Sequence, residues 1–198
     1  MMLSISIFGE GGHADLKTGW GVWVTGLPGS GKSVISRTLI RFLQEEKMHA
    51  QLLSSDALRK ILTPKPCYSI GERDLVYETL VYIAVLLTQN GVNVVIDATA
   101  NLRRYRDNAR ERIPQFIEVY LDCPLEVCMK REARRRETFF APREIYSRAL
   151  EGKADTVPGI GQPYEPPLHP EVTVSTLQSN SEQAAMRILD EIIKLQQR

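Results

Sequence analysis

Gly21-Val22-Trp23-Val24-Thr25-Gly26-Leu27-Pro28-Gly29-Ser30-Gly31-Lys32-Ser33 decides the fold of this 198-residue chain. Residues 21–25 are uncharged and mostly apolar and read as a short buried strand, and residues 26–33 satisfy the pattern GxxxxGK[ST] in full. An amphipathic helix is predicted from Lys32 to about Glu46. Strand, glycine loop and helix in that order make a phosphate cradle. The glycines let backbone N–H groups turn inward and approach phosphate oxygens, and the helix N-terminus adds positive potential. Lys32 would reach the β- and γ-phosphates as a mobile point charge, and Ser33 would offer its hydroxyl to Mg²⁺. Gly26, Leu27, Pro28, Gly29, Ser30, Gly31, Lys32 and Ser33 are therefore the expected nucleotide-binding residues.

Outward from this stretch, apolar runs alternate with helical patterns. His49-Ala50-Gln51-Leu52-Leu53 reads as a second strand ending in Ser54-Ser55-Asp56. A long helix follows Ser69, where Ser69-Ile70-Gly71-Glu72 has capping-box spacing, and it stops at Asn90-Gly91. Val92-Asn93-Val94-Val95-Ile96 is β-branched and continuous, as a strand covered on both faces should be. Residues 116–121 and 172–174 give two more strands, and Ala185, Ile188, Leu189 and Ile192 mark a closing helix. Strands separated by helices imply an α/β fold: a parallel sheet flanked by helices on both faces. Residues 1–18 read as a short leader and 19–198 as a single domain.

A chain with 43% hydrophobic and 25% charged residues has an ordinary globular composition, and its net charge of +1 calls for neither nucleic acid nor a membrane surface as partner. No apolar run reaches membrane-spanning length. Three scattered cysteines are too few for a disulfide framework or a zinc site and suit a reducing cytoplasm. No Asn-Lys-x-Asp guanine-reading sequence occurs, which disfavours a GTPase. The expected cofactors are ATP and Mg²⁺, and the expected partner is a small-molecule acceptor; a homodimer stays open.

Five further residues and one basic run have chemical roles to offer, each beside a plainer one. Asp56 follows the second strand at the carboxyl edge of the sheet, where it could organise Mg²⁺ or accept a hydroxyl proton, or else cap the next helix. Arg59, one turn on, could bind an anionic group or be a solvated surface charge. Asp97 ends the continuous strand and could meet the metal or an acceptor hydroxyl, or cap the following loop. Arg103 and Arg106, one turn apart on the next helix, could face site or solvent. Lys130-Arg131-Glu132-Ala133-Arg134-Arg135-Arg136 is the densest basic run and reads as a mobile lid that neutralises transferred charge, with Arg131 the first choice; its alternative is an exposed helix end. Catalysis is thus expected from Lys32, Asp56 and Arg131, metal binding from Ser33 and Asp56, and acceptor binding from Arg59 and Asp97.

Between Gly19 and Glu171 the chain resembles the adenylylsulfate kinase family. The likeness is carried by residues 23–33, by Leu121-Asp122-Cys123-Pro124-Leu125-Glu126-Val127-Cys128, and by Gly159-Ile160-Gly161-Gln162-Pro163-Tyr164-Glu165-Pro166-Pro167. The resemblance implies a P-loop kinase with a mobile lid near residues 130–160, moving phosphate from MgATP to the ribose 3′-hydroxyl of adenylyl sulfate. It adds Tyr68 as an aromatic against the acceptor's adenine. There are departures. The family's Asp-Gly-Asp is Ser54-Ser55-Asp56 here, its Asn-Ile-Arg-Arg is Val76-Tyr77-Glu78-Thr79, and the second adenine-stacking aromatic is Val157. The serine of its Ile-Ser-Pro is Ala100. Val95-Ile96-Asp97-Ala98-Thr99 looks instead like small kinases of polynucleotides and metabolites. Another hydroxylated metabolite or nucleotide derivative is therefore the alternative acceptor, and an ATPase switch is the reading from a different class.

Overall fold

The computed structural model describes residues 18–136 and 138–197; the expected leader, apart from Thr18, lies outside them. Twelve elements are described: β1 (Gly21–Thr25), α1 (Lys32–Glu45), β2 (Ala50–Ser54), α2 (Ser55–Leu62), α3 (Ile70–Gln89), β3 (Asn93–Asp97), α4 (Arg103–Arg112), β4 (Phe116–Asp122), α5 (Leu125–Ala133), α6 (Ile145–Leu150), β5 (Val172–Ser175) and α7 (Ser181–Gln196). The five strands form one parallel sheet in the order β2-β3-β1-β4-β5.

Side chains alternate across a strand, so β1 feeds two cores. Val22 and Val24 pack with Leu39 and Leu43 of α1 and with Ile188 and Ile192 of α7. Trp23 faces the other way, into Leu80, Val81 and Ala84 of α3 and Tyr105 of α4. Every residue of β1 is buried, which its lack of charge anticipates. A third, smaller cluster of Cys123, Cys128, Tyr146 and Val157 packs with Leu27 and Leu125 and binds the α5–α6 region to the phosphate loop.

The helix starts show how local chemistry sets these boundaries. The Ser69 hydroxyl accepts from the Glu72 N–H at 3.3 Å, half of the expected capping box. The other half is replaced: the Glu72 carboxylate takes the N–H groups of Cys67 and Tyr68 at 2.7 and 3.1 Å. A complete capping box forms at α7 instead, between Asn180 and Gln183. At α2 the cap is the Ser54 hydroxyl, which accepts from the Ala57 N–H at 3.3 Å. The capping alternative for Asp56 is therefore not the one taken, because Ser54 fills that role.

Register fixes the carboxyl edge. Asp97 pairs with Ser54 on one side and Val24 on the other, so the ends of β2, β3 and β1 lie abreast. The chain leaves those ends into α2, the Thr99–Asn101 loop and the phosphate loop.

Candidate active site

Around the phosphate loop the backbone packs without slack. Gly29 has φ +83°, and a Cβ there would stand 2.4 Å from the Cys128 carbonyl oxygen of α5, so only glycine admits this approach. The Tyr146 hydroxyl donates to the Pro28 carbonyl at 2.8 Å, tying α6 to the same loop.

Lys32 is enclosed, and its ammonium donates to the carbonyls of Gly26 and Leu27 at 3.0 Å each. Burial lowers its pKa, and the negative charges of Asp97 and Asp56 partly offset that. Asp97 is buried at the end of β3. Burial raises its pKa, while Lys32 and a hydrogen bond with Ser33 pull it down. Lys32, Ser33, Asp56 and Asp97 thus meet at one point, drawn from three elements. They line a cavity of about 750 Å³ together with Arg59, Tyr68, Arg73 and Val157.

The donor set fits Mg²⁺. This ion keeps several waters and takes phosphate oxygens plus one or two protein groups. A hydroxyl and two carboxylates beside a phosphate cradle supply that, and the described residues contain no cluster of three or more acidic, histidine or cysteine side chains of the kind a dedicated metal cage would need.

Arg59, which lines the same cavity, is buried, so the solvated reading is not what the fold provides. It ion-pairs with Glu72 and lies 4.7 Å from the centre of the Tyr68 ring. Although burial pushes Glu72 up, the hydrogen bonds of Cys67 and Tyr68 and the Arg59 charge outweigh it and hold the carboxyl below its ordinary value. Arg73, also buried, donates from Nε to the Tyr68 carbonyl at 3.1 Å and from its terminal nitrogen to the Thr156 carbonyl. Tyr68 is held at φ +56°, unusual for a bulky residue, by the bonds made to its own N–H and C=O.

Sequence reasoning missed Glu72 and Arg73. The signal lies in Ser69-x-x-Glu72, which by spacing alone reads as a capping box, with Arg73 the residue after it.

The basic run divides. Arg131 lines the cavity, yet its guanidinium donates to the Thr176 hydroxyl at 2.9 Å and the Thr176 carbonyl at 2.7 Å, anchoring α5 to the loop after β5. Arg135 lines the same cavity with its Nε buried and without an acceptor among the described residues, and its charge acts on Lys32. Arg106 faces neither site nor solvent. It is fully buried and donates to Glu118, to the Ala100 carbonyl and to the Glu165 carbonyl. With it, the Glu165 N–H donates to the Asn101 carbonyl at 2.7 Å, and the Tyr164 and Thr25 hydroxyls lie 3.0 Å apart. The Gly159–Pro167 motif is therefore a stay that joins the stretch leading out of the α6 region to β1 and to the loop after β3.

Residues 18–175 match the family described as adenylylsulphate kinase, a span covering most of the chain. The chain belongs to the adenylylsulfate kinase family. As a member it is a phosphotransferase. The adenylyl-sulfate kinase of Halothermothrix orenii is 34% identical over 169 residues, covering 85% of this chain and 86% of that protein. The probable adenylyl-sulfate kinase of Archaeoglobus fulgidus is 35% identical over 155 residues, covering 78% and 94%. Among solved structures, the Mycobacterium tuberculosis APS kinase in complex with AMPPNP and APS superimposes with a TM-score of 0.78 at 30% identity, over 88% of this chain and 98% of that one.

Within this family member the departures acquire positions. Val76 and Tyr77 are buried in the core, and the Tyr77 hydroxyl accepts from the Ala100 N–H at 3.0 Å. Glu78 and Thr79 do not line the cavity, whereas Arg59 and Arg73 do. No helix among the described residues is long and apolar enough to cross a membrane.

Proposed function

We propose that this chain transfers the γ-phosphoryl group of MgATP to the 3′-hydroxyl of adenylyl sulfate. The observation that carries the reading is one cavity lined both by Lys32, Ser33, Asp56 and Asp97 beside the phosphate loop and by Arg59, Arg73 and Tyr68. The names of the relatives support the acceptor, and the cavity supplies what that acceptor needs: cations for a doubly anionic group, an aromatic face for a base and a carboxylate beside the phosphates.

In this reading the glycine loop and Lys32 hold the β- and γ-phosphates, and Lys32 shields the charge that accumulates on the transferred group. Ser33 and the carboxylates of Asp97 and Asp56 would hold Mg²⁺, which when bound neutralises the β- and γ-oxygens. Asp56, free of capping, is placed to accept the proton of the attacking hydroxyl. Arg135, which lines the cavity, is the lid cation for the phosphates, while Arg131 anchors α5. Arg59 and Arg73 take the acceptor's anionic end, and Tyr68 its adenine. The unpaired cysteines, Cys67, Cys123 and Cys128, support a reducing compartment such as the cytoplasm.

The test is phosphate transfer from γ-labelled ATP, with adenylyl sulfate and a panel of hydroxylated metabolites as acceptors. Transfer to adenylyl sulfate, with little ATP consumption in its absence, is the expected result. No transfer at millimolar adenylyl sulfate, beside robust transfer to another hydroxyl compound, overturns the acceptor and leaves the kinase standing.

A further inference from the structure

Two adjacent rings beyond α5 stand where neither the nucleotide chemistry nor core packing asks for them. Phe139 and Phe140 are 40% and 43% exposed, in a turn closed by the Ala141 N–H donating to the Thr138 carbonyl at 2.8 Å. Exposed phenylalanines are common singly and need no explanation. These two are different because each is gripped by a cation from a separate helix. The Arg37 guanidinium of α1 lies 4.2 Å from the centre of the Phe139 ring, and the Lys60 ammonium of α2 lies 5.1 Å from that of Phe140. The turn is also fixed at its base, where Arg135 donates to the Pro142 carbonyl at 2.7 Å and Arg143 to the Arg136 carbonyl at 3.2 Å. Phe139 itself has φ +47°, a backbone state that bulky residues avoid unless their surroundings impose it.

What the turn presents is a surface beside the reacting groups. α1 carries Ser33 in its first turn and α2 carries Asp56, so a segment pinned to both spans the cleft between them. Phe139 lines the main cavity. Phe140 lines a side chamber of about 260 Å³ that also includes Asp56, Arg59, Thr63, Pro66 and Tyr68. That chamber is lined by the rings of Tyr68 and Phe140, by three prolines, and by one carboxylate, one guanidinium and the Lys60 ammonium, which suits a planar heterocycle bearing an anionic substituent. Val157 lines the main cavity and not this chamber.

Resting on the acceptor reading above, we propose that Phe140 forms one wall of the acceptor site and selects for a planar ring in the acceptor, with Phe139 and Arg37 positioning it. The ring of the acceptor packs on Phe140 with its edge toward Asp56 and its anionic group toward Arg59. Arg37 holds Phe139 in its left-handed conformation, and the next residue is thereby aimed into the chamber.

Steady-state kinetics on the full chain with adenylyl sulfate and ATP test this. Phe140→Ala should raise the acceptor KM about fivefold or more, the scale of a lost base–aromatic contact, with kcat and the ATP KM close to the parent's. Phe140→Tyr should restore the parental KM. Arg37→Ala should raise the acceptor KM less, and add nothing in a Phe139→Ala background. Melting temperature should not move, because the ring is nearly half exposed. An unchanged acceptor KM in Phe140→Ala overturns the wall while the acceptor stands. A parent chain that transfers nothing to adenylyl sulfate overturns the acceptor instead. The wall is then read from ATP hydrolysis without acceptor, which Phe140→Ala should raise severalfold by admitting water; an unchanged rate overturns it.

Discussion

Replacing Arg106 by alanine removes a guanidinium that no solvent reaches and leaves three oxygens without their donor. Nε donates to Glu118 Oε1 at 2.6 Å, and the terminal nitrogens donate to the carbonyls of Ala100 and Glu165, the latter at 2.6 Å. Glu118 is itself buried, and after the change the guanidinium left to it among the described residues is that of Arg110 at 3.2 Å, which is partly exposed and shared with Glu171. Breaking a buried ion pair from one side costs about 3–5 kcal/mol because a charge is stranded. For a domain of this length each kcal/mol moves the melting temperature by about 2–4 °C, so Arg106→Ala should melt roughly 6–20 °C below the parent. Calorimetry and urea unfolding measure this, the second showing a lower midpoint at similar slope. Arg106→Lys keeps a charge but cannot span three acceptors and should fall between the two. A melting temperature within measurement error of the parent would refute the view that this arginine ties Ala100, Glu118 and Glu165 together.

Three further outcomes follow from the site. Asp56→Asn should lower transfer by about a hundredfold or more at unchanged melting temperature, since Ser54 and not Asp56 caps α2; near-normal turnover would show that the proton and metal are handled elsewhere. Asp97→Asn tests the raised carboxyl: a group that binds its proton more tightly when folded gives stability below its unfolded value, near about 3.9, and loses it as pH climbs through the folded value. The variant escapes that loss, so its melting temperature should gain on the parent's as pH rises above about 4 while transfer falls; a gap that widens on acidification contradicts the reasoning. Gly29→Ala places a Cβ 2.4 Å from the Cys128 carbonyl at a positive φ, so calorimetry should find nucleotide binding lost together with reduced stability, and normal ATP affinity would disprove the packing argument.

The phosphate loop was legible because its chemistry is written in consecutive residues: the loop geometry, the lysine and the hydroxyl need no distant partner to be recognised. Asp97 was nearly as legible, since a continuous β-branched strand must end at an edge and a carboxylate there must face the loops that follow. The arginines were not legible, and one physical reason covers them all. A guanidinium offers five donors on a long stem, so its role is set by whichever acceptors reach it, and those lie far along the chain. Arg131 and Arg135 belong to one basic run, and they part because Thr176, 45 residues on, takes the first while α5 ends at Ala133 between them. For Arg59 the sequence leaves an anion-binding group and a solvated surface charge both open, because its buried partner Glu72 lies 13 residues later. Arg106 meets Glu118 from the neighbouring strand and Glu165 from the motif that the family resemblance had marked without a reason. That reason is now physical. Pro163 to Pro166 cannot form a strand or helix that would hold itself in place, so its carbonyls are fixed by Asn101, Arg103 and Arg106, and through Tyr164 the stretch is held beside Thr25 at the threshold of the phosphate loop.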